Sequence, residues 1–339
     1  MADEGRRDLR VLPKAHLHLH VPGAMRPATL RELAERYRTQ VALVSDGSFA
    51  TFAALFQSVL DVLRTTDDVM RLVREVAEDA AADGAVWLEA AGPLAGSVVQ
   101  RLGLRDEEPM LELLLEASRQ AEREVGIGVG ILVSSSRNRP IAEAEARARL
   151  AARYAGRGVV AFGLAGDETR GRPEPFAAAF AVARNAGLIA APHGGEHGGP
   201  ESVRGALDAL GSRRIQHGVR AAEESALVAR LADEGITLDV CPRSNVQLGV
   251  YPSFDLHPLR RLLEAGVPLS LNADNPLFVG AGVLAEYELA RDVFDLSDVQ
   301  LAHIARCSVR ASGAPDALKA DALVRIDCWL DEAAPQKDW

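Results

Sequence analysis

The sequence predicts an α/β protein, a (β/α)8 TIM barrel with a helical cap inserted after its first strand. Three observations carry that expectation. Eight short, β-rich apolar runs recur along the chain, at 15–20, 85–91, 127–133, 159–164, 188–193, 214–217, 236–240 and 267–271. Between them lie stretches with apolar residues every three or four positions, such as 110–125, 141–154, 222–234 and 256–265, and strand–helix alternation of this kind signals a parallel sheet. A doubly wound open sheet is the competing architecture, but no glycine-rich phosphate turn follows the first strand.

Each element has a local reason. Gly235 and Gly266 sit between a helical pattern and the next strand, where a helix C-terminal glycine is expected. Residues 21–84 form an unusually long first connection with three helical patterns, at 28–38, 49–64 and 67–83. On the C-terminal face of a barrel such an insertion caps the site. Phe49, Phe52, Leu55, Phe56 and Leu60 share helical spacing there; most of them pack the cap onto the barrel, and one or two line a substrate pocket. Helices at 297–311 and 315–330 close the far side. A chain of 339 residues is expected to form a single barrel domain over 1–339, since barrels take about 250 residues and grow by insertion.

Composition narrows the function. Lys+Arg 38 against Asp+Glu 48 gives a net charge of −10, an acidic balance that argues against a nucleic-acid partner. No apolar run approaches the ~18–20 residues of a membrane span, and the first residues carry no apolar signal core. Cys241, Cys307 and Cys328 are odd in number and scattered, which gives no disulfide framework. A cytoplasmic enzyme acting on a small molecule is the expectation, and oligomeric state is not legible.

The chemistry concentrates in four segments, each at a predicted strand end. They are Lys14-Ala-His-Leu-His-Leu-His20, Pro192-His-Gly-Gly-Glu-His197, Arg214-Ile-Gln-His-Gly218 and Ser270-Leu-Asn-Ala-Asp-Asn-Pro276. His16, His18 and His20 alternate with leucines, so on a strand the three imidazoles share a face. Two of them with His193 and Asp274 make three imidazoles and a carboxylate, a donor set suited to zinc. Glu196 and His217 remain as candidate acid and base. The run His193-Gly-Gly-Glu196-His197 also matches an inverted peptidase motif, but that motif needs a helix, and Pro192, Gly194 and Gly195 oppose one. His197 is expected at the rim, and His16, His257 and His303, which have no partner motif, are expected to be structural. No lysine lies between Lys14 and Lys319, so a carboxylated lysine bridging two metals has no candidate and one Zn2+ per chain is expected.

These segments, in this order, resemble the adenosine deaminase group of the amidohydrolase superfamily over nearly the whole chain. The resemblance implies that His18, His20, His193 and Asp274 hold zinc, that Glu196 protonates the purine ring, and that His217 and Asp274 attend the hydrolytic water. It also implies that Gly166, in Leu164-Ala-Gly-Asp-Glu168, meets purine N3; Cys241-Pro-x-Ser-Asn245 is a further shared stretch. Two departures bear on substrate. Pro22 stands where the family carries an acid for the ribose 5′-hydroxyl, and Asn275 replaces the acid that meets purine N7, while a further departure, Gln216 for a glycine before His217, has no interpretation. An amide can still donate to N7. The expected reaction is zinc-dependent hydrolytic deamination of a 6-aminopurine nucleoside, either adenosine or a 5′-modified relative such as aminodeoxyfutalosine. Arg26, Arg64 and Arg243 are candidate partners for a carboxylate on that 5′ group. A metal hydrolase of another amide or cyclic amidine, or a non-catalytic purine-binding relative, is the alternative.

Overall fold

The computed structural model describes residues 6–41 and 49–331. Nine strands appear among them: β1 Lys14–His20, β2 Ala85–Ala91, β3 Gly128–Ser136, β4 Val159–Ala165, β5 Ile189–Ala190, β6 His193–Gly194, β7 Arg214–His217, β8 Thr237–Val240 and β9 Leu269–Leu271. All pair in parallel, in the orders β1-β2-β3-β4-β5 and β6-β7-β8-β9. The fifth predicted strand is thus split into β5 and β6 around Ala191-Pro192. The amide of Ala191 donates to Phe162 O on one side (2.9 Å), while Pro192, which has no amide hydrogen, accepts from Gln216 N on the other (2.9 Å). At the second seam Leu19 bridges Asp274 in parallel, with His20 N donating to Asp274 O (3.0 Å) and Asp274 N to His18 O (3.1 Å). The eight strand positions expected from sequence therefore form the barrel.

The insertion is as expected. After a short 3-10 turn at Pro22–Ala24 come α1 (Pro27–Tyr37), α2 (Phe49–Asp61) and α3 (Thr66–Ala82); residues 42–48 and the Phe49 side chain lie outside the described residues, as do 1–5 and 332–339. Thr65 and Asp68 form a reciprocal capping box at the start of α3. Two expected helices are shorter than their patterns. The 222–234 stretch is a 3-10 turn, Val219–Glu223, followed by a helix at Ser225–Asp233, and the 256–265 stretch becomes Leu259–Glu264. Pro258 explains the second, because proline disfavours helical geometry in the residue before it. None of the described helices is long and apolar enough to cross a membrane.

The barrel's lower interior is polar. Arg214 ion-pairs with Glu89 and, at 3.0 Å, with Asp239, all three almost fully buried. Asp239 accepts from Ser270 Oγ (2.7 Å), which accepts from Asn272 Nδ2 (2.8 Å). The Asn272 carbonyl in turn receives Leu17 N (2.6 Å) and His18 N (3.1 Å). Below them Lys14 is fully buried, donating to Leu9 O (2.8 Å) and Asp83 O (2.9 Å) and lying over the Tyr287 ring. Burial pushes its ammonium down to about 7.

A linkage prediction follows for Lys14. Between pH 7 and about 10 the unfolded chain holds a proton on this lysine that the folded chain has lost, so its contribution makes stability rise with pH, by at most roughly 1.4 kcal/mol per pH unit. Denaturant unfolding of the parent and of Lys14→Met across this range is expected to show the parent gaining on the variant as pH rises; parallel curves would contradict a depressed lysine.

Candidate active site

Several strand ends meet on the C-terminal face of the barrel. β1 brings His18 and His20, two residues apart and therefore on one face. β6 brings His193, β7 ends in His217, and the segment after β9 carries Asp274. The seam sets Asp274 against β1, so that its Oδ1 lies 3.4 Å from His18 Nε2 and 3.5 Å from His20 Nε2. His20 Nε2 is 3.4 Å from His193 Nε2. His18, His193 and His217 also bring ring nitrogens within 4.8 Å of one another. His217 and Asp274 take left-handed backbone angles, φ 63° and 57°, which residues with a Cβ adopt rarely and which collect where packing over-determines a functional geometry.

The protonation states suit a cation. Burial drives His20 down to about 4 and His193 well below the ordinary range, leaving neutral imidazoles. Burial acts to raise the Asp274 carboxyl, but His18 beside it outweighs this and holds it well below the usual carboxylate range. Neutral imidazole and ionised carboxylate are the ligand forms. His18 Nε2 is buried without a hydrogen-bond partner, as expected of an atom that a metal satisfies. Its other nitrogen is oriented from behind by Asp239 O (3.5 Å) and Cys241 Sγ (3.4 Å), the kind of outer contact that fixes a ligating ring. Ser244 Oγ and Asn275 Nδ2 each donate to Asp274 at 2.7 Å. The residues present therefore fit a single divalent ion.

Glu196 stands opposite. Its Oε1 is 3.6 Å from His217 Nε2 and 3.7 Å from His197 Nε2, and burial pushes its pKa well above the ordinary value, which favours the protonated form. The loop that holds it is built around the buried Glu168 carboxylate. That carboxylate accepts from Gly195 N (2.9 Å), Glu196 N (2.8 Å), Gly198 N (3.0 Å) and Ser202 Oγ (2.5 Å). Arg137 adds a bond to His193 O (2.6 Å). Gly195 takes φ +68°, and a Cβ there would come within 2.5 Å of Val203, so the turn requires glycine.

His20, His193, Glu196, His217 and Asp274 line a cavity of about 270 Å3, completed by Phe52, Phe56, Gly166, Leu248 and Asn275. Phe56 from α2 sets its ring edge-on to His20, centroids 6.1 Å apart, so the cap does cover the site. Pro22 lies outside this cavity. It lines a neighbouring cavity of about 630 Å3 that shares His20, Phe56, Gln57, Ser136 and Ala165 with the first.

The matching family model is that of adenosine deaminase, and it spans residues 13–329. The chain belongs to the adenosine deaminase family. It is an enzyme of that hydrolase family, and its relatives cover it nearly end to end. A Streptomyces virginiae protein, provisionally named for adenosine or adenine deamination, is 47% identical over 96% of this chain and 99% of its own. The crystal structure of an adenine deaminase from Arthrobacter aurescens superposes with TM-score 0.85 at 28% identity, covering 94% of this chain and 99% of that one. A zinc-bound amidohydrolase from Burkholderia ambifaria gives TM-score 0.84 at 25% identity, over 95% and 93%.

The structure brings together His18, His20, His193, Glu196, His217, Asp274, Asn275 and Gly166 from the sequence reading, and sets Pro22 next door. It corrects the arginines. Arg26 is engaged by Glu78 and Asp79, Arg64 by Thr39 and the Asp61 carbonyl, and Arg243 by Ala285 O and the Glu286 side chain. Those near the second cavity are instead Arg139 and Arg147, paired with Glu143 and Glu107. Sequence reasoning missed Glu168, Ser244, Asn245 and His257. The first three end or lie within stretches already noted as shared, which was the available signal. His257 sits two hydrogen bonds from His217, through Asn245.

Removing the Glu168 carboxylate strands three backbone N–H groups and leaves Arg137 without its buried counter-charge. Glu168→Ala is expected to cost about 3–5 kcal/mol in denaturant unfolding, with faster hydrogen exchange at 195–198. A loss under about 1 kcal/mol, within the range of an exposed ion pair, would show that the loop is held by other means.

Proposed function

We propose that this protein is a zinc-dependent hydrolytic deaminase that recognises a 6-aminopurine through its ring, with adenine as its first substrate, and that a single domain carries the activity. The observation that carries this is the cavity in which the buried Glu196, its pKa raised by that burial, faces the cluster of His18, His20, His193 and Asp274. His18, His20, His193 and Asp274 would hold the ion. When bound, zinc lowers the pKa of a coordinated water toward ~7 and so supplies a nucleophile at neutral pH. Asp274, fixed by Ser244, orients the attacking water, and His217 presents Nε2 to the same space. Glu196 gives its proton to the ring nitrogen beside the reacting carbon, so negative charge does not accumulate on the ring. A C–O bond forms at C6, the C–N bond breaks, and ammonia leaves. Phe56 and Leu248 exclude water, Gly166 is offered to purine N3, and Asn275 to N7 with the amide hydrogen that Asp274 does not use.

The substrate follows from what lies around the ring. Pro22 is buried and its side chain has neither donor nor charge, so a ribose 5′-hydroxyl gains no partner there. The adenine deaminase from Arthrobacter aurescens points the same way. The cavity of about 630 Å3 beside Pro22 favours a second reading, a nucleoside with a larger 5′ substituent, such as aminodeoxyfutalosine. The amide or cyclic amidine hydrolase alternative has the same donor set but gives no reason for an adenosine deaminase relationship across 13–329.

Glu196→Gln is expected to retain one zinc per chain by metal analysis and to lose about 10²–10⁴-fold in turnover, because the amide is nearly isosteric yet has no proton to give. Near-parental turnover would remove Glu196 from the mechanism.

Ammonia release should be measured with adenine, adenosine, methylthioadenosine and aminodeoxyfutalosine. We expect kcat/KM for adenine to exceed that for adenosine by about tenfold or more, equivalent to at least ~1.4 kcal/mol of transition-state binding. Pro22→Asp should narrow that gap. A 5′-substituted nucleoside ahead of adenine would select the second reading; adenosine ahead of both would contradict the role given to Pro22.

A further inference from the structure

A one-way chain of hydrogen bonds reaches His217 from outside the cavity. It begins with the backbone amide of Leu259, which donates to His257 Nδ1 (3.2 Å). A backbone N–H can only donate, so His257 Nδ1 is an acceptor and the neutral ring carries its hydrogen on Nε2. That nitrogen meets Asn245 Oδ1 at 3.1 Å, which fixes the amide so that its NH2 turns the other way. Asn245 Nδ2 then lies 3.1 Å from His217 Nδ1. An amide NH2 has hydrogens and no lone pair to offer, so His217 Nδ1 must accept. The hydrogen of a neutral His217 is left on Nε2, the atom that faces Glu196 at 3.6 Å.

Nothing in the chain is free to reverse. Asn245 and His217 are almost fully buried. The Asn245 backbone is pinned at both ends, its amide donating to Cys241 O (2.9 Å) and its carbonyl accepting from Val250 N (2.8 Å) and Tyr251 N (3.2 Å). His257 is held between the rings of Tyr251 and Phe294, with centroids at 5.2 and 5.6 Å. Burial in this apolar box pushes its pKa down to about 3, which keeps the ring neutral.

We infer that His257 and Asn245 are positioning residues that set His217 as an Nε2–H hydrogen-bond donor toward the reacting end of the cavity. The tautomer argument stands on geometry alone; its mechanistic meaning rests on the proposed deamination. A neutral His217 in this tautomer has no lone pair on Nε2 with which to take a proton, and Nδ1 is covered by the amide. It therefore donates to the oxygen that adds to the ring carbon. The proton released by the attacking water goes to the Glu196 carboxylate after Glu196 has given its own to the ring, and Glu196 then passes it to the departing amine. As the C6=O bond forms, the added hydroxyl returns its proton to the Glu196 carboxylate, so the turnover balances and Glu196 regains its starting form without His217 gaining a proton.

The test is a long-range 1H–15N correlation on zinc-loaded protein with 15N-labelled histidines, whose ring-nitrogen shifts separate protonated from bare nitrogens. Expected are His217 and His257 both with hydrogen on Nε2 and a bare Nδ1. Asn245→Asp replaces the donating NH2 with an accepting carboxylate, so His217 should acquire a hydrogen on Nδ1. With the best purine substrate, kcat should fall about tenfold or more while KM changes by less than about twofold. His257→Gln, whose amide can still donate to Asn245 Oδ1, should retain the parental His217 pattern, whereas His257→Leu should lose it. A parent spectrum with hydrogen on His217 Nδ1, or an Asn245→Asp spectrum unchanged at His217, overturns the inference. The expected spectra from a protein that deaminates no purine would leave the tautomer assignment standing and remove the proposed function instead. The parent spectrum decides the matter even if a variant fails to fold.

Discussion

The bridge between Leu19 and Asp274 is the contact on which the rest of this site depends. It joins the last strand of the barrel to the first, and its two backbone hydrogen bonds, His20 N to Asp274 O and Asp274 N to His18 O, run through the very residues that carry the chemistry. A carboxylate 254 or more residues along the chain from two imidazoles is thereby locked beside them by main-chain geometry rather than by side-chain reach. The left-handed backbone at Asp274 is the conformational cost of that junction, held in place by Ser244 and Asn275 on its carboxylate.

The polar barrel interior follows from the same constraint. Eight strands converging on an axis leave room for long side chains, and here Arg214 fills it between Glu89 and Asp239. Breaking such a buried pair is expensive because it leaves an uncompensated charge. The chain from Asp239 through Ser270 and Asn272 to the amides of Leu17 and His18 ties β1 to β8 and β9 from beneath. The strand that carries two of the donors is thus fixed along its length as well as at its end. There are two anchoring systems, Glu168 under the Glu196 loop and Asn272 under β1.

What the sequence disclosed, and what it concealed, has a physical pattern. Strand ends were legible because histidine and aspartate at the close of an apolar run have few other reasons to be there, and the cap was legible from its helical periodicity. Supporting residues were concealed because their partners are distant in sequence and their types are common. Glu168 looks like any loop carboxylate until three backbone amides are seen to point at it. His257 has no neighbouring motif, and only folding sets it 12 residues from Asn245 at hydrogen-bond distance. The arginines failed for the complementary reason: a charge free in sequence is rarely free in the fold, and Arg26 between Glu78 and Asp79 is already satisfied.

The central claim is that three imidazoles and one carboxylate from three strand ends hold a single divalent ion facing Glu196. Crystallography with anomalous differences collected on either side of the zinc absorption edge tests it most directly. The account predicts one strong peak per chain, bonded to His18, His20, His193 and Asp274 at the ~2.0–2.2 Å usual for zinc. Two peaks in the cavity, or one peak bonded to His217 and Glu196 in place of His193 and Asp274, would contradict it.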